Sequence, residues 1–139
     1  MKFDYLKQPN FRDPQKPWVS RPFIPVRLFY QNSHIDLFAL IDSGADACLF
    51  HISLGRALGI PVEQGERQVF YGIEASGVEV YFHQIRLEIR GVAGTIVIKA
   101  GFVDSKNVSG ILGQQDFFEN YKITFERSKE IIEINPIRK

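Results

Sequence analysis

From Phe23 onward the chain is a succession of short runs of aromatic and β-branched residues broken by turn clusters. "FIPVRLFY" is followed by the turn cluster "QNSH", and then by "IDLFALID". Such runs favour extended backbone, and two of them around a short polar cluster read as a β-hairpin. A chain made of these pieces satisfies its backbone groups between strands, so it folds as sheets that pack or close on themselves.

The remaining segments keep to this pattern. "CLFHISLGRALGIP" spaces Ile52, Leu54, Ala57 and Leu58 for one short helix, stopped at Gly59 and Pro61. "RQVFYGIEASGVEVYFHQIRLEIRG" alternates at Val69 and Tyr71 and again at Val78, Val80 and Phe82. That predicts a long hairpin whose tip, "GIEASG", is flanked by Gly72 and Gly77. "TIVIKAGFV" is a further strand, "SKNVSG" a loop, "ILG" a strand end, and "QQDFFENY" one or two helical turns. "KITFERSKEIIEI" is a closing hairpin, ended by Pro136. The expected class is mainly β, with two short helices and a closed or partly closed barrel.

Residues 1–22 differ. Pro9, Pro14, Pro17 and Pro22 sit among polar residues without a steady period, which predicts an extended arm ahead of a domain at 23–139. Phe3, Tyr5, Phe11 and Trp18 give the arm docking groups, either for the domain's own surface or for a partner subunit.

Composition narrows the partners. The 139 residues are 45% hydrophobic and 24% charged, with a formal net charge of +1, values suited to one domain with a core. Basic and acidic residues interleave, so neither nucleic acid nor a membrane surface is an expected partner. No apolar run approaches the roughly 18 residues that span a bilayer, and the N-terminus lacks the apolar stretch of a secretory signal. The single cysteine, Cys48, excludes an internal disulfide; the expected location is cytoplasmic.

One carboxylate stands out. Asp42 follows the apolar residues Ile35, Leu37, Phe38, Ala39, Leu40 and Ile41 and is itself followed by Ser43, Gly44 and Ala45. Asp-Ser-Gly alone is a common turn. Here, however, the side chain emerges from a strand of buried character, and the small residues after it leave room for a ligand or a second backbone. Downstream, Ile111-Leu112-Gly113 forms another apolar strand end, able to thread beside the first loop and shield its carboxylate. His34, His51 and His83 show no metal-ligand spacing, and no metal or other cofactor is expected. His34 reads as a turn residue, His83 as a strand residue near the hairpin base, and Cys48 as a buried small hydrophobe.

"LIDSGA", the glycine-flanked hairpin "FYGIEASG" and "ILGQQDFFENYKITFERSKEIIEI" occur in that order. This resembles the retropepsin-like aspartic proteases over about residues 23–135. The resemblance implies a retropepsin-like barrel with a flap hairpin, and an endopeptidase in which two carboxylates share a proton across a bound water. Only one Asp-Ser-Gly is present; Asp104-Ser105 is followed by Lys106, and Asp116 lies in the second helix signal. The second carboxylate is therefore expected from Asp42 of another copy, in a homodimer acting on a peptide or protein substrate.

Further roles carry over by the same resemblance. Ser43 and Gly44 support the catalytic loop. Gly44, Ala45 and Asp46, with Gly72, Ile73, Glu74, Ala75, Ser76 and Gly77 of the flap tip, contact substrate. Ile111, Leu112 and Gly113 shield the dyad. In retroviral members an Arg follows the late glycine and pairs with the acid matched by Asp46; here Gln114 stands there, so that pairing is either absent or supplied by a replacement such as Arg127 or Arg138. The alternative function is a non-catalytic module of the same fold that binds a peptide or protein strand uncut. A small-molecule-binding barrel would give no reason for Asp, Ser, Gly and Ala together at a strand end.

Overall fold

The computed structural model describes residues 1–137. The chain opens with three short strands, β1 (Lys2–Asp4), β2 (Leu6–Pro9) and β3 (Trp18–Arg21). β2 and β3 form a hairpin of their own, with Pro9 opposite Trp18, and Pro14 and Pro17 fall in its loop.

β4 (Phe23–Tyr30) and β5 (Ser33–Ile41) follow as an antiparallel pair. Every second residue of β4 from Ile24 to Leu28 is buried, as a strand with one face on the core requires. The turn is tighter than the four-residue cluster suggests. Gln31 adopts a left-handed φ of 51°, so Ser33 already pairs with Tyr30. His34 is therefore not a turn residue but the second residue of β5, with its ring 6.0 Å from that of Phe29.

β6 (Cys48–His51) leads into the helix α1 (Ile52–Ala57). His51 caps that helix, its ring nitrogen accepting the Ser53 amide at 3.2 Å. Next come β7 (Glu66–Phe70), β8 (Val78–Ile89), β9 (Ile96–Val103), β10 (Gly110–Leu112), β11 (Tyr121–Glu126) and β12 (Ile131–Pro136). The main sheet runs β4-β5-β10-β6-β9-β8-β7, and β4 also pairs with β8. That last pairing closes a six-stranded barrel and leaves β7 outside it, as the free edge of a hairpin with β8. The barrel is filled by Ile24, Leu28, Phe50, Leu87, Ile98 and Phe102, all fully buried.

The second helical segment, Gln114–Phe118, is a single distorted turn. Gln115 is extended and Asp116 has a φ of 69°. Three contacts hold it: the Asp116 carboxylate accepts the Lys99 amide at 2.7 Å, the Asp116 amide donates to Glu119 Oε1 at 2.6 Å, and Phe117 is buried.

The chain's two ends meet in a small sheet ordered β1-β12-β11. Phe3 lies opposite Ile132, and both Ile132 and Ile134 are buried beneath. The arm is fastened again further on. The Tyr5 amide donates to the Glu130 carbonyl at 2.9 Å, and Arg127 donates to the Ser20 carbonyl at 3.2 Å while lying 5.8 Å above the Tyr5 ring. Among the described residues no helix is long and apolar enough to cross a membrane.

Candidate active site

Asp42 is the first residue beyond β5, and its position follows from long-range pairing. β10 lies parallel to β5, with Leu112 opposite Ile41. The Asp42 amide continues that ladder by donating to the Leu112 carbonyl at 3.0 Å. The loop then folds back on itself. The Gly44 amide donates to Asp42 Oδ1 at 3.0 Å, and the Ala45 amide to the Asp42 carbonyl at 3.2 Å. One carboxylate oxygen is thus engaged by backbone, and among the described residues no other side chain bonds to this half-buried carboxylate.

Gly113 is the point of closest approach between the two strand ends. A Cβ there would lie 2.4 Å from the Ala47 carbonyl oxygen and 2.6 Å from that of Ala45. Only a residue without a side chain lets the loops meet. Past it, the Gln114 amide donates to the Ala45 carbonyl at 2.8 Å and the Gln115 amide to that of Asp46 at 2.9 Å. The Gln114 side chain reaches the Ser43 carbonyl at 2.7 Å. The residue standing where an Arg is usual in the retroviral pattern therefore serves as a neutral latch between the loops.

A cleft of about 610 Å³ opens over Asp42. Its floor includes Gly44, Ala45, Asp46 and Ile111, and its roof is the flap from Gln68 to Ile73. The roof is tied down within the same chain. Ile73 packs on a cluster containing Leu49, Val80, Phe82, Val103 and Val108, and its carbonyl accepts Asn107 Nδ2 at 3.3 Å. Gly77, with φ of 83°, ends the tip and sends the chain into β8.

The residues singled out by sequence fall into three groups. Gly44, Ala45, Asp46, Gly72, Ile73 and Ile111 line the cleft together with Asp42. Ser43 is exposed outside it, and Glu74, Ala75, Ser76 and Gly77 belong to the far side of the flap tip, beyond the lining. Leu112 and Gly113 are buried; Leu112 meets Asp42 through its backbone carbonyl, and Gly113 packs on the backbone of Ala45 and Ala47. Arg127 does not replace the expected partner of Asp46, because it is held by Ser20 and Tyr5. Arg138 lies outside the described residues.

Several lining residues escaped the sequence reading: Leu49, Gln68, Lys99 and Gln115. Lys99 is on β9, far from any motif, and enters only because β9 runs beside β8, with Lys99 opposite Gln84. Its ammonium pairs with Glu66 at 2.8 Å and lies 5.1 Å from the Phe82 ring centroid. Among the described residues, no group of three or more His, Cys, Asp or Glu side chains is placed to hold a metal ion. Cys48 is buried beside the site, and burial pushes its thiol up to about 11.

No family model matches the sequence, and no curated protein does. Solved structures do match. The chain is similar to a retropepsin-like aspartic protease from Rickettsia conorii, with a TM-score of 0.58 and 13% identity over 97% of this chain and 98% of that one. It is also similar to EIAV protease complexed with the inhibitor HBY-793, with a TM-score of 0.46 and 19% identity over 76% of this chain and 86% of that one. The first likeness, spanning nearly both chains, shows that the fold is retropepsin-like.

Proposed function

We propose that this retropepsin-like chain is an aspartic endopeptidase that acts as a homodimer, with Asp42 of each copy contributing one carboxylate to a shared dyad. The observation that carries the reading is the fixed carboxylate at a barrel strand end, on the floor of a cleft roofed by a hairpin. Residues 23–139 form the catalytic unit and residues 1–22 an arm. The single buried thiol suits a reducing, cytoplasmic setting.

Two carboxylates a few ångströms apart do not both ionise easily, so one holds a proton at working pH. The ionised member takes a proton from the water lying between them as that water attacks the peptide carbonyl. The protonated member donates to the carbonyl oxygen as charge develops there. The resulting tetrahedral species collapses with transfer of a proton to the amide nitrogen, and the C–N bond breaks. The apparent titrations belong to the pair rather than to either residue. The flap excludes bulk water while substrate lies extended beneath it.

Purified protein is expected to cut peptides in a mixed pool when assayed between about pH 4 and 7. Asp42→Asn is expected to end cleavage while leaving circular dichroism and thermal midpoint in place. Equal cutting by both proteins would overturn the assignment.

A second reading, a peptide-binding module without hydrolysis, has one observation behind it. Cleft, floor and flap contact are complete within a single chain. That reading predicts a monomer at micromolar concentration that binds peptides and cuts none.

A further inference from the structure

The charges along the cleft are unequal in availability. Its lining holds two carboxylates, Asp42 and Asp46, and one ammonium, Lys99. Lys99 is already neutralised by Glu66 at 2.8 Å and stacked on Phe82. Asp42 is taken up by the chemistry proposed above. Asp46 remains. It is exposed, its carbonyl is spent on Gln115, and its carboxylate has no ion-pair partner among the described residues. Gln114, which stands where the retroviral pattern has an Arg, is uncharged and bonded to the Ser43 carbonyl.

The cleft also continues. A second hollow of about 410 Å³ shares Phe82, Lys99 and Gln115 with the first, and adds Glu66 and Asp116. Acidic groups therefore outnumber basic ones in the lining of the two adjoining hollows. Apolar walls on one side of a carboxylate raise the strength of its attraction for a cation above that on open surface.

We infer that Asp46 makes the cleft selective for peptides that carry a Lys or Arg side chain within reach of it, a few residues from the bond above Asp42. This deepens the proposed endopeptidase function and rests on it for the identity of the ligand, but binding tests it separately. A neutral side chain at that place would leave the Asp46 carboxylate hydrated and gain nothing. An acidic one would meet like charge from both Asp46 and Asp42.

The test uses the full chain carrying Asp42→Asn, so that bound peptide is not consumed, and fluorescent peptides of one apolar sequence bearing a single Arg, Gln or Glu at successive positions. At one position the Arg peptide is expected to bind about fivefold tighter than its Gln counterpart, the upper end of what a partly exposed ion pair supplies. Glu there should be weaker still. In the Asp42→Asn, Asp46→Asn double variant the Arg and Gln peptides should bind alike, and in the single variant the gap should shrink as salt rises. Equal binding of Arg and Gln peptides at every position, or a preference that persists in the double variant, would overturn the inference. Cleavage by the wild-type chain is read in parallel. Arg-selective binding without any cutting would refute the endopeptidase and keep Asp46 as the selective group; cutting without Arg selectivity would do the reverse.

Discussion

At the scale of single residues, backbone geometry holds Asp42 more than side-chain chemistry does. Its amide is in a strand ladder and one of its oxygens accepts from Gly44. Gly113 is what lets the second strand end come close enough. Gly113→Ala is expected to cost about 1–3 kcal/mol, the usual penalty for forcing atoms into a filled space. Urea unfolding should show a lower midpoint at unchanged slope; an unchanged midpoint would mean that the loops separate without cost. Cys48 gives a pH-dependent prediction. Its thiol titrates near 9.0 when unfolded and is pushed up to about 11 by burial. The raised value means the contribution is whole below pH 9 and is lost as pH rises toward 11. The loss amounts to roughly 2–3 kcal/mol at 1.36 kcal/mol per unit. Relative to Cys48→Ala, the wild-type chain should therefore weaken in urea between pH 9 and 11. A constant difference between the two would place the thiol in a wetter environment.

At the scale of elements, the hairpins were legible because their signals are local. Alternation in β4 and β5, the glycine-flanked flap tip and the terminal hairpin each occupy one continuous stretch. The insertion of β10 between β5 and β6 is not local: it joins Leu112 to Ile41 across a long stretch of chain, and only the shape of the motif hinted at it. Lys99 was invisible for the same reason, since its place in the cleft depends on β9 running beside β8 and not on any neighbour in sequence. The latch by Gln114 was equally hidden, because an uncharged side chain in place of an expected cation announces no partner. The flap is the element whose behaviour follows most directly from one contact. Asn107→Ala removes the hydrogen bond to the Ile73 carbonyl, and a net loss of about 1 kcal/mol corresponds to roughly fivefold more frequent opening. Amide hydrogen exchange at residues 72–77 should accelerate by that factor. Unchanged exchange would show that packing of Ile73 alone keeps the roof down.

At the scale of the whole molecule, the barrel is closed and its two chain ends are sealed by a small sheet, yet the proposed chemistry is unfinished in one copy. Each chain supplies one Asp-Ser-Gly loop, with Ser43 exposed at its surface beside Asp42. The retropepsin-like resemblance implies that Ser43 bonds across the two-fold axis of the proposed dimer, where symmetry would double the effect of removing it. Ser43→Ala is therefore expected to weaken dimerisation by about 1–3 kcal/mol, two hydrogen bonds' worth, as read by sedimentation equilibrium. An unchanged dissociation constant would remove Ser43 from the interface. The central claim is that one active site needs Asp42 from two chains. It is tested most directly by mixing wild-type and Asp42→Asn protein at fixed total concentration, allowing subunits to exchange, and measuring peptide cleavage against the wild-type fraction. The account predicts a rate that follows the square of that fraction, about a quarter of full activity in an equal mixture, because mixed dimers are inactive. A rate strictly proportional to the wild-type fraction would mean that each chain works alone, and would contradict it.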